Sequence, residues 1–525
     1  VIRNAPWDLN EVHLSPFVAG VVAVLVTLVV AFIIGIGLAR SGAKSGAVAA
    51  TVITLALLFV THEVALNWTD LTGGDRAGLS FTIGESLRSR WPVYGALFGS
   101  ILVARLFAQS RWGRLAQAAR EDNLAARAMG VNPQVQQMAA LLLSVVVVAV
   151  AASLRVYEIG NITPKFFFFD YTLLTLVMLI VGGRNSLTGA LTGVVIITAG
   201  RELTRRLATD GYELFGIGLD GEPADWVFRE GLSGIFLGLA MLGFMIFRPD
   251  GLLNDWELDE WSYRRFGPKR REPAVPDPVE TVTPSRLDVE RVSVDFGGFR
   301  ALSEASMQAG NVEVVGLIGP NGAGKTTLVN VITGMVSSST GTTHLDDSDL
   351  TNAESYIIAR KGLVRTFQNL RLFSGLTVRE NVETASLVAE THRADREQPD
   401  VDALLVAAGL WEQRDRRADE LDYGNSRRLE LARAAAMVPT FLLLDEPTSG
   451  MSDTESLAMI EQVRTMADLV GAGVLVIDHD LAFITGISDR IYVLDQGEVI
   501  AEGTPAEVQA DPHVQAAYLG TSAGA

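Results

Sequence analysis

The sequence predicts a multi-domain chain, an N-terminal all-α polytopic membrane domain followed by a C-terminal α/β P-loop ATPase domain. Three observations predict it. Apolar runs, each long enough to cross a bilayer at roughly 20 residues per helix, follow one another through the first half. A GxxxxGK[ST] motif lies between an apolar strand and a helix in the second half. Between them, Pro268, Pro273, Pro276, Pro278 and Pro284 gather among charges, the composition of a semi-rigid linker. These place the membrane domain at 1–254, the linker at 255–285 and the nucleotide-binding domain at 286–525.

Composition bounds the rest. The 525 residues suffice for two or three domains, and the absence of cysteine excludes disulfides and thiolate metal sites. Mean hydropathy is +0.27, high for a soluble protein. The net charge of −18 is uneven: residues 1–250 carry 19 basic and 18 acidic residues, the remainder 24 and 43. A surface this acidic argues against a nucleic-acid partner, which needs clustered positive charge. The chain begins at Val1 rather than Met, which reads as a fragment or an unusual start.

Spans are expected near 16–39, 45–66, 91–109, 135–154, 168–183, 186–204 and 227–247, about six to seven helices. In "IVGGRNSLTGALTG", Gly182, Gly183 and Gly189 suggest a re-entrant break. Basic residues set the orientation. Placing the 40–45 loop, the 110–134 loop and the 248–285 tail in the cytoplasm puts Arg40, Lys44, Arg111, Arg114, Arg120, Arg127, Arg264, Arg265, Lys269, Arg270 and Arg271 there, with Arg201, Arg205 and Arg206 as the dissenting votes. The segment "RWGRLAQAAREDNLAARAMGVNP" suits a short surface helix ended by Gly130 and Pro133. His62 and Glu63, ionisable near an outer span end, are expected to be structural before functional. The run Phe166–Phe169 suits an interfacial aromatic anchor.

In "VEVVGLIGPNGAGKTTLVNVITG", the loop from Gly319 through Asn321, Gly322 and Gly324 exposes backbone N–H groups to phosphate oxygens at a helix N-terminus. Lys325 is placed to reach the β- and γ-phosphates of ATP, and Thr326, followed by Thr327, to ligate Mg²⁺. "FLLLDEP" reads as a buried strand. It ends in Asp445, expected to hold the metal through water, and Glu446, expected to polarise the attacking water.

With "RTFQN", "VLVIDHD" and "ELDYGNSRRLELARA", these elements resemble the ATPase subunit of an ABC transporter over about 286–522. The resemblance implies that Phe296 stacks on adenine, that Gln368 touches the metal and couples the site to the membrane domain, and that His479 contacts the γ-phosphate. "RTFQNLRLFSGLTVRENV" and "VIAEGTPAEVQADPHVQAAYLG" are similar to the ATPases of branched-chain amino acid importers. "NWTDLTGG", "REDNLAARAMGVNP", "GGRNSLTGA" and "FRPDGLL" are similar to the permeases of the same systems. The segment 111–133 then looks like the coupling helix that docks on the ATPase. Those permeases carry further helices before the region where this chain begins, in keeping with a fragment.

What the resemblance implies is ATP-driven import of a small, branched-chain amino acid across the inner (cytoplasmic) membrane. A second permease/ATPase half-transporter and an extracytoplasmic substrate-binding protein would be its partners. Urea or a short amide is the alternative solute, and an ATP-gated channel or regulator not coupled to pumping is the alternative class.

One departure stands out. The family's signature, Leu-Ser-Gly-Gly-Gln or a Tyr variant, is here Leu421-Asp422-Tyr423-Gly424-Asn425. In the family it completes the partner's ATP site. Asp is as good a helix N-cap as Ser, so a helix over Ser426–Met437 starts well. A carboxylate about 4 Å from a phosphate charge is nevertheless repelled by ~4 kcal/mol at an effective dielectric of 20. The site that Asp422 completes is therefore expected to close poorly.

Overall fold

The structure, a computed structural model, describes residues 15–72, 79–80, 90–159, 161–164, 169–209, 213–214, 217–218, 232–254, 256–267, 270–279 and 282–519. Phe166–Phe168, Lys269 and the start of the seventh expected span at 227–231 lie outside the described residues, as do the side chains of Arg40, Lys44 and Arg264. The chain divides into two compact units: Val1–Ser110 with Gln137–Lys269, and Arg111–Gln136 with Arg270–Ala525.

The first unit is helical: α1 (Pro16–Asn67), α2 (Trp91–Gln109), then, after α3 (Arg111–Glu121) and α4 (Asn123–Ala128) of the second unit, α5 (Pro133–Ile159), α6 (Phe169–Gly182), α7 (Leu187–Thr209) and α8 (Leu232–Phe247). Ser15 caps α1 by accepting from the Val18 N–H, with Pro16 at the first position where a missing N–H costs nothing. The loop expected at 40–45 is instead part of α1, which runs unbroken for 52 residues. Ser and an isolated Gly lower helix propensity there, but Arg, Ala and Lys favour it and no proline ends the helix. Within α1, Pro16–Leu38 is long and apolar enough to span a membrane by itself, as are α2 and α5, and their apolar windows are almost wholly exposed. A lipid-facing stripe has that property, since lipid rather than protein covers it. Arrangement within the unit is antiparallel for α1 and α5: Tyr157 Oη donates to the Pro16 carbonyl at 2.6 Å, and Gly35 faces Met138 and Leu141.

The break expected at Gly182 and Gly183 is present. Helices α6 and α7 meet at 120° across it, as a broken span or re-entrant pair. Their crossing is backbone on backbone: a Cβ on Gly193 would lie 1.9 Å from the Met178 carbonyl oxygen. Val177, Val181 and Ile197 form the buried centre, covered by Phe236, Met241 and Phe244 of α8. The "FRPDGLL" segment returns to this corner, where Leu252 and Leu253 donate to the carbonyls of Val181 and Gly182 at 3.0 and 2.9 Å. Glu257 then takes the N–H groups of Leu187 and Thr188 at the start of α7, at 2.6 and 3.1 Å. His62 and Glu63 lie on α1, where Asn67 donates to the Glu63 carbonyl and carboxylate.

The second unit is α/β. Strands β1 (Arg286–Phe296), β2 (Phe299–Gly310), β4 (Thr340–Leu345) and β5 (Ser348–Asp349) form an antiparallel sheet ordered β2-β1-β4-β5. A second sheet is ordered β6-β7-β8-β3-β9-β10, with β3 (Val314–Ile318), β6 (Leu363–Arg365), β7 (Phe441–Asp445), β8 (Gly473–Ile477), β9 (Arg490–Asp495) and β10 (Glu498–Gly503). All neighbours are parallel but the last pair. Strands β7 and β8 are buried throughout, as continuous apolar runs in a parallel sheet should be. Helices α9 (Lys325–Ile332), α10 (Val378–His392), α11 (Tyr423–Ala435) and α12 (Asp453–Val470) flank the sheets. Both α10 and α12 start with capping boxes, Thr377/Glu380 and Ser452/Glu455.

The segment 111–136 folds with this unit. It is two helices rather than one, α3 (Arg111–Glu121) and α4 (Asn123–Ala128). Asp122 breaks them: its Oδ1 accepts from the Leu124 and Ala125 N–H groups, both at 2.9 Å, starting a new helix. Leu115, Ala118, Ala119, Ala125, Ala126, Met129 and Val131 are buried in one cluster with Phe373, Val378, Val382, Val388 and Met437. The alanines permit close approach; the segment is a docked element, not a solvated surface helix. Within 255–285, residues Leu258–Phe266 form a helix, and the Val279 N–H donates to Asp468 at the end of α12.

Candidate functional site

The site forms where β3, β7 and β8 end on the same edge of the parallel sheet. From β3 the chain turns through Gly319, Gly322 and Gly324, all at positive φ, into α9. Gly319 has no alternative, since a Cβ there would lie 2.0 Å from the Leu494 carbonyl oxygen. Asn321 is exposed, and Gly322 has open space around it, so the loop's outer rim is accessible to a ligand. Lys325, the first residue of α9, donates to the carbonyls of Gly319 and Pro320 at 2.7 and 3.0 Å. Burial lowers its pKa, opposed by the charges of Glu446 and Asp445. Thr326 and Thr327 follow in the first turn of α9, where N–H groups and the helix dipole favour anions.

Glu446 lies just beyond β7, in left-handed conformation at φ 49°, with its N–H donating to the Ile477 carbonyl at 2.7 Å. A non-glycine residue held there is costly and needs fixing from outside. Gln368 Nε2 donates to its Oε2 at 2.7 Å, and His479 Nδ1 stands 3.8 Å from the same oxygen. Two of the three expected catalytic residues, Gln368 and His479, therefore converge on the carboxylate of the third, Glu446. Asp445 is a different case. It is 4% exposed, and its Oδ2 receives Arg365 Nη2 at 2.6 Å. Phe296 is apart from them, half-exposed at the tip of the β1–β2 hairpin formed by Gly297 and Gly298.

The signature segment starts α11 three residues earlier than expected, at Tyr423, with Asp422 as its N-cap. Asp422 accepts from the Asn425 N–H at 2.9 Å and from Asn425 Nδ2 at 2.7 Å. Those hydrogen bonds hold its carboxyl below the usual range. Leu421 packs on the core, Gly424 is half-buried, and Tyr423 Oη donates to the Ser449 carbonyl at 2.5 Å.

Four residues that organise this site were not expected. Asp478, 1% exposed, accepts through Oδ1 from the N–H groups of His479 and Asp480, at 2.8 and 3.0 Å. Through Oδ2 it accepts from the Thr448 hydroxyl at 2.7 Å, so one carboxylate ties the loops after β7 and β8. Arg427 and Glu430 form a buried ion pair at 3.0 Å on α11. Arg427 donates to the carbonyls of Phe367 and Gln368, and Glu430 accepts from the Phe367 N–H at 3.2 Å. Burial raises the Glu430 pKa against the pull of Arg433 and Arg427. Arg365 is the fourth. A charged side chain closing an apolar run was the available signal for Asp478 and Arg365, whereas Arg427 and Glu430, at i,i+3 in a polar stretch, read as an ordinary surface pair.

A continuous set of contacts runs from the Gln368 segment to the docked helices. Arg371 Nη1 donates to Asp122 Oδ2 at 2.9 Å, and the Gly375 N–H donates to Glu121 at 3.1 Å. Arg114 meets Glu380 at 3.1 Å and Glu383 at 3.4 Å.

Residues 4–245 match the model of a branched-chain amino acid transport system permease component. Residues 302–449 match that of the ABC transporter, and 498–524 that of a branched-chain amino acid ATP-binding cassette transporter. Over 248 residues, 45% of this chain and 97% of the relative, the sequence is 40% identical to the high-affinity branched-chain amino acid transport ATP-binding protein LivG of Salmonella typhimurium. The corresponding protein BraF of Pseudomonas aeruginosa is 38% identical over 251 residues, again 45% of this chain and 97% of its own. A crystal structure of an ATP-binding cassette of an ABC transporter in its ADP conformation is 30% identical, with a TM-score of 0.39, covering 45% of this chain and 99% of that one. The chain belongs to the ABC transporters of the branched-chain amino acid type, and it carries that family's permease and its ATP-binding ATPase in one polypeptide.

Proposed function

We propose that the chain is half of an ATP-driven importer of small amino acids of the branched-chain type, working in the cytoplasmic membrane. A second half-transporter would supply the facing ATPase, and an extracytoplasmic binding protein would deliver the solute. The observation that carries the reading is the docking of α3 and α4, which lie in sequence between membrane helices α2 and α5, among residues contiguous with Gln368. Movement of the catalytic segment is thereby transmitted to chain that continues directly into the bilayer.

In this reading the P-loop amides and Lys325 hold the phosphates of ATP, and Phe296 stacks on the base. Glu446, oriented by Gln368 and near His479, takes the proton of the attacking water. His479 then contacts the γ-phosphate. The donor set suits Mg²⁺: the Thr326 hydroxyl, the Asp445 carboxylate and the Gln368 amide are hard oxygen ligands, and Arg365 engages Asp445 through Oδ2, leaving its other oxygen. The ion, when bound, neutralises charge developing on the β- and γ-phosphates. Leu421, Asp422, Tyr423, Gly424 and Asn425 complete the facing subunit's ATP site.

The test is uptake of labelled leucine, isoleucine and valine into proteoliposomes holding the full chain, its partner half and binding protein. Glu446→Gln should still bind ATP and abolish accumulation. Uptake that persists in that variant would replace the pump with a gated channel, and uptake of urea or a short amide instead would reassign the solute.

A further inference from the structure

Arg365 is the last residue of β6, and its strand position is paired with Leu443 of β7. Side chains two apart on a strand share a face, so Arg365, opposite Leu443, shares a face with Asp445. The guanidinium is 4% exposed and works in two directions. Nη2 donates to Asp445 Oδ2 at 2.6 Å, while Nη1 donates to Asn330 Oδ1 at 2.6 Å and approaches Thr333 Oγ1 at 3.3 Å. Asn330 lies on α9, the helix that begins with Lys325, Thr326 and Thr327. The ring of Phe367 lies 5.4 Å from the guanidinium carbon. Arg365 thus bridges the two elements that carry the expected metal oxygens, Thr326 on α9 and Asp445 on β7.

Burying a guanidinium in an apolar strand is expensive unless it is paired and its geometry is fixed. Nε is buried and without a protein partner, so this arginine is not serving only to satisfy its own hydrogen bonds. Its planar fork can hold two acceptors at a set spacing, which a lysine ammonium does not do.

We propose that Arg365 is a positioning residue for the metal–nucleotide site: it fixes the Asp445 carboxylate relative to helix α9 and thereby sets how strongly Mg²⁺ tightens nucleotide binding. This rests on Asp445 being a metal residue, as proposed above. Oδ2 is retained by the guanidinium, the carboxylate cannot rotate freely, and its remaining oxygen is offered in one orientation. Partners that orient a ligating carboxylate typically alter metal affinity by about 10–100-fold when removed.

The experiment is a titration of the purified full chain with a fluorescent ATP analogue, in Mg²⁺ and in EDTA. Arg365→Gln is expected to cut the Mg²⁺-dependent gain in affinity by about tenfold and leave affinity in EDTA unchanged. Arg365→Lys, which keeps the charge and loses the fork, should recover only part of the gain. Equal losses in Mg²⁺ and EDTA would show a merely structural arginine and overturn the proposal, as would a full Mg²⁺ gain in Arg365→Gln. If that variant does not fold, Asn330→Leu removes the guanidinium's second anchor without unbalancing charge. It should show the same split, and wild-type behaviour there overturns the proposal. Asp445→Asn separates the two readings: a full Mg²⁺ gain in that variant defeats the metal role of Asp445 itself. Loss in Asp445→Asn with none in Arg365→Gln defeats only the positioning role.

Discussion

Asp422 and Asn425, the two residues at which the signature departs from its family, are hydrogen-bonded to each other through both backbone and side chain. The departures are therefore coupled. A carboxylate at the N-cap accepts from the N3 amide, and an Asn at N3 has the length to return its side-chain amide to the second carboxylate oxygen. A Gln there would carry one methylene more. The pairing accounts for how α11 accommodates the acid. It also holds the carboxyl ionised, which keeps a negative charge where a serine would donate to phosphate.

Asp422→Ser should therefore raise ATPase turnover of the assembled transporter. Asp422 is exposed in the single chain, and solvent discounts the repulsion expected from a dielectric of 20. An increase of up to about tenfold, equivalent to ~1.4 kcal/mol, is the expected scale. Asn425→Ala, which removes the side-chain donor and keeps the backbone one, should move turnover the other way. Unchanged rate and unchanged nucleotide occupancy in Asp422→Ser would retire the idea of a weakened site.

Removing one partner of the Arg427–Glu430 pair should be severe. Both are nearly fully buried, and Arg427 also holds two carbonyls of the Gln368 segment. Arg427→Met removes the direct partner of the buried Glu430 and leaves it only Arg433 and the Phe367 N–H, at a cost of up to about 3–5 kcal/mol. Thermal unfolding followed in the ATPase should show it. A double variant, Arg427→Met with Glu430→Leu, should recover much of the loss, and failure to recover would assign the effect to the carbonyl contacts instead.

The legibility of this chain in its sequence divides along physical lines. The P-loop, the buried strand before Asp445 and the three long apolar spans near 16–38, 91–109 and 133–159 were readable because each depends on local pattern, apolar period or glycine spacing; the runs at 52–67 and 232–247 are shorter apolar helices among the described residues. The break at Gly182 and Gly183 was readable for the same reason. The continuity of α1 across 40–45 was not, since a polar turn of Ser, Gly and Lys is equally compatible with a loop. Arg365, Asp478 and the Arg427–Glu430 pair were missed because their roles are set by neighbours 30 to 80 residues away. The split of segment 111–133 at Asp122 turned on one side chain serving two purposes, as helix cap and as partner of Arg371. Reading the segment as one short helix foresaw neither role.

Attachment of α3 should depend on pH through Glu380. Burial pushes its pKa up, but hydrogen bonds from Thr377 and the charge of Arg114 outweigh it and hold the carboxyl below its usual value. A carboxyl lowered on folding contributes stability that is complete above its ordinary pKa and is lost as pH falls through the folded value. Protection of the α3 amides, taken relative to the intrinsic exchange rate at each pH, should thus be strong at neutral pH and fall away once the pH drops below the ordinary carboxylate value of about 4.3. Glu380→Gln should exchange fast at neutral pH and lose most of that dependence. Unaltered exchange in the variant would remove Glu380 from the attachment.

The corner between α6 and α7 makes the sharpest demand on a single residue. A Cβ at Gly193 would stand 1.9 Å from the Met178 carbonyl oxygen, and no side chain can rotate to relieve a backbone contact. Gly193→Ala must push the helices apart, opening the cluster of Val177, Val181 and Ile197, and overpacking of this kind typically costs about 1–3 kcal/mol. The damage should stay within the membrane unit, because the ATPase unit has its own core. Solute uptake should fall steeply, with ATP binding in detergent near wild type. Gly238→Ala on α8 is the control, since nothing lies within 4 Å of the added methyl. Equal uptake by the two variants would show that the close crossing at Gly193 is not required for transport.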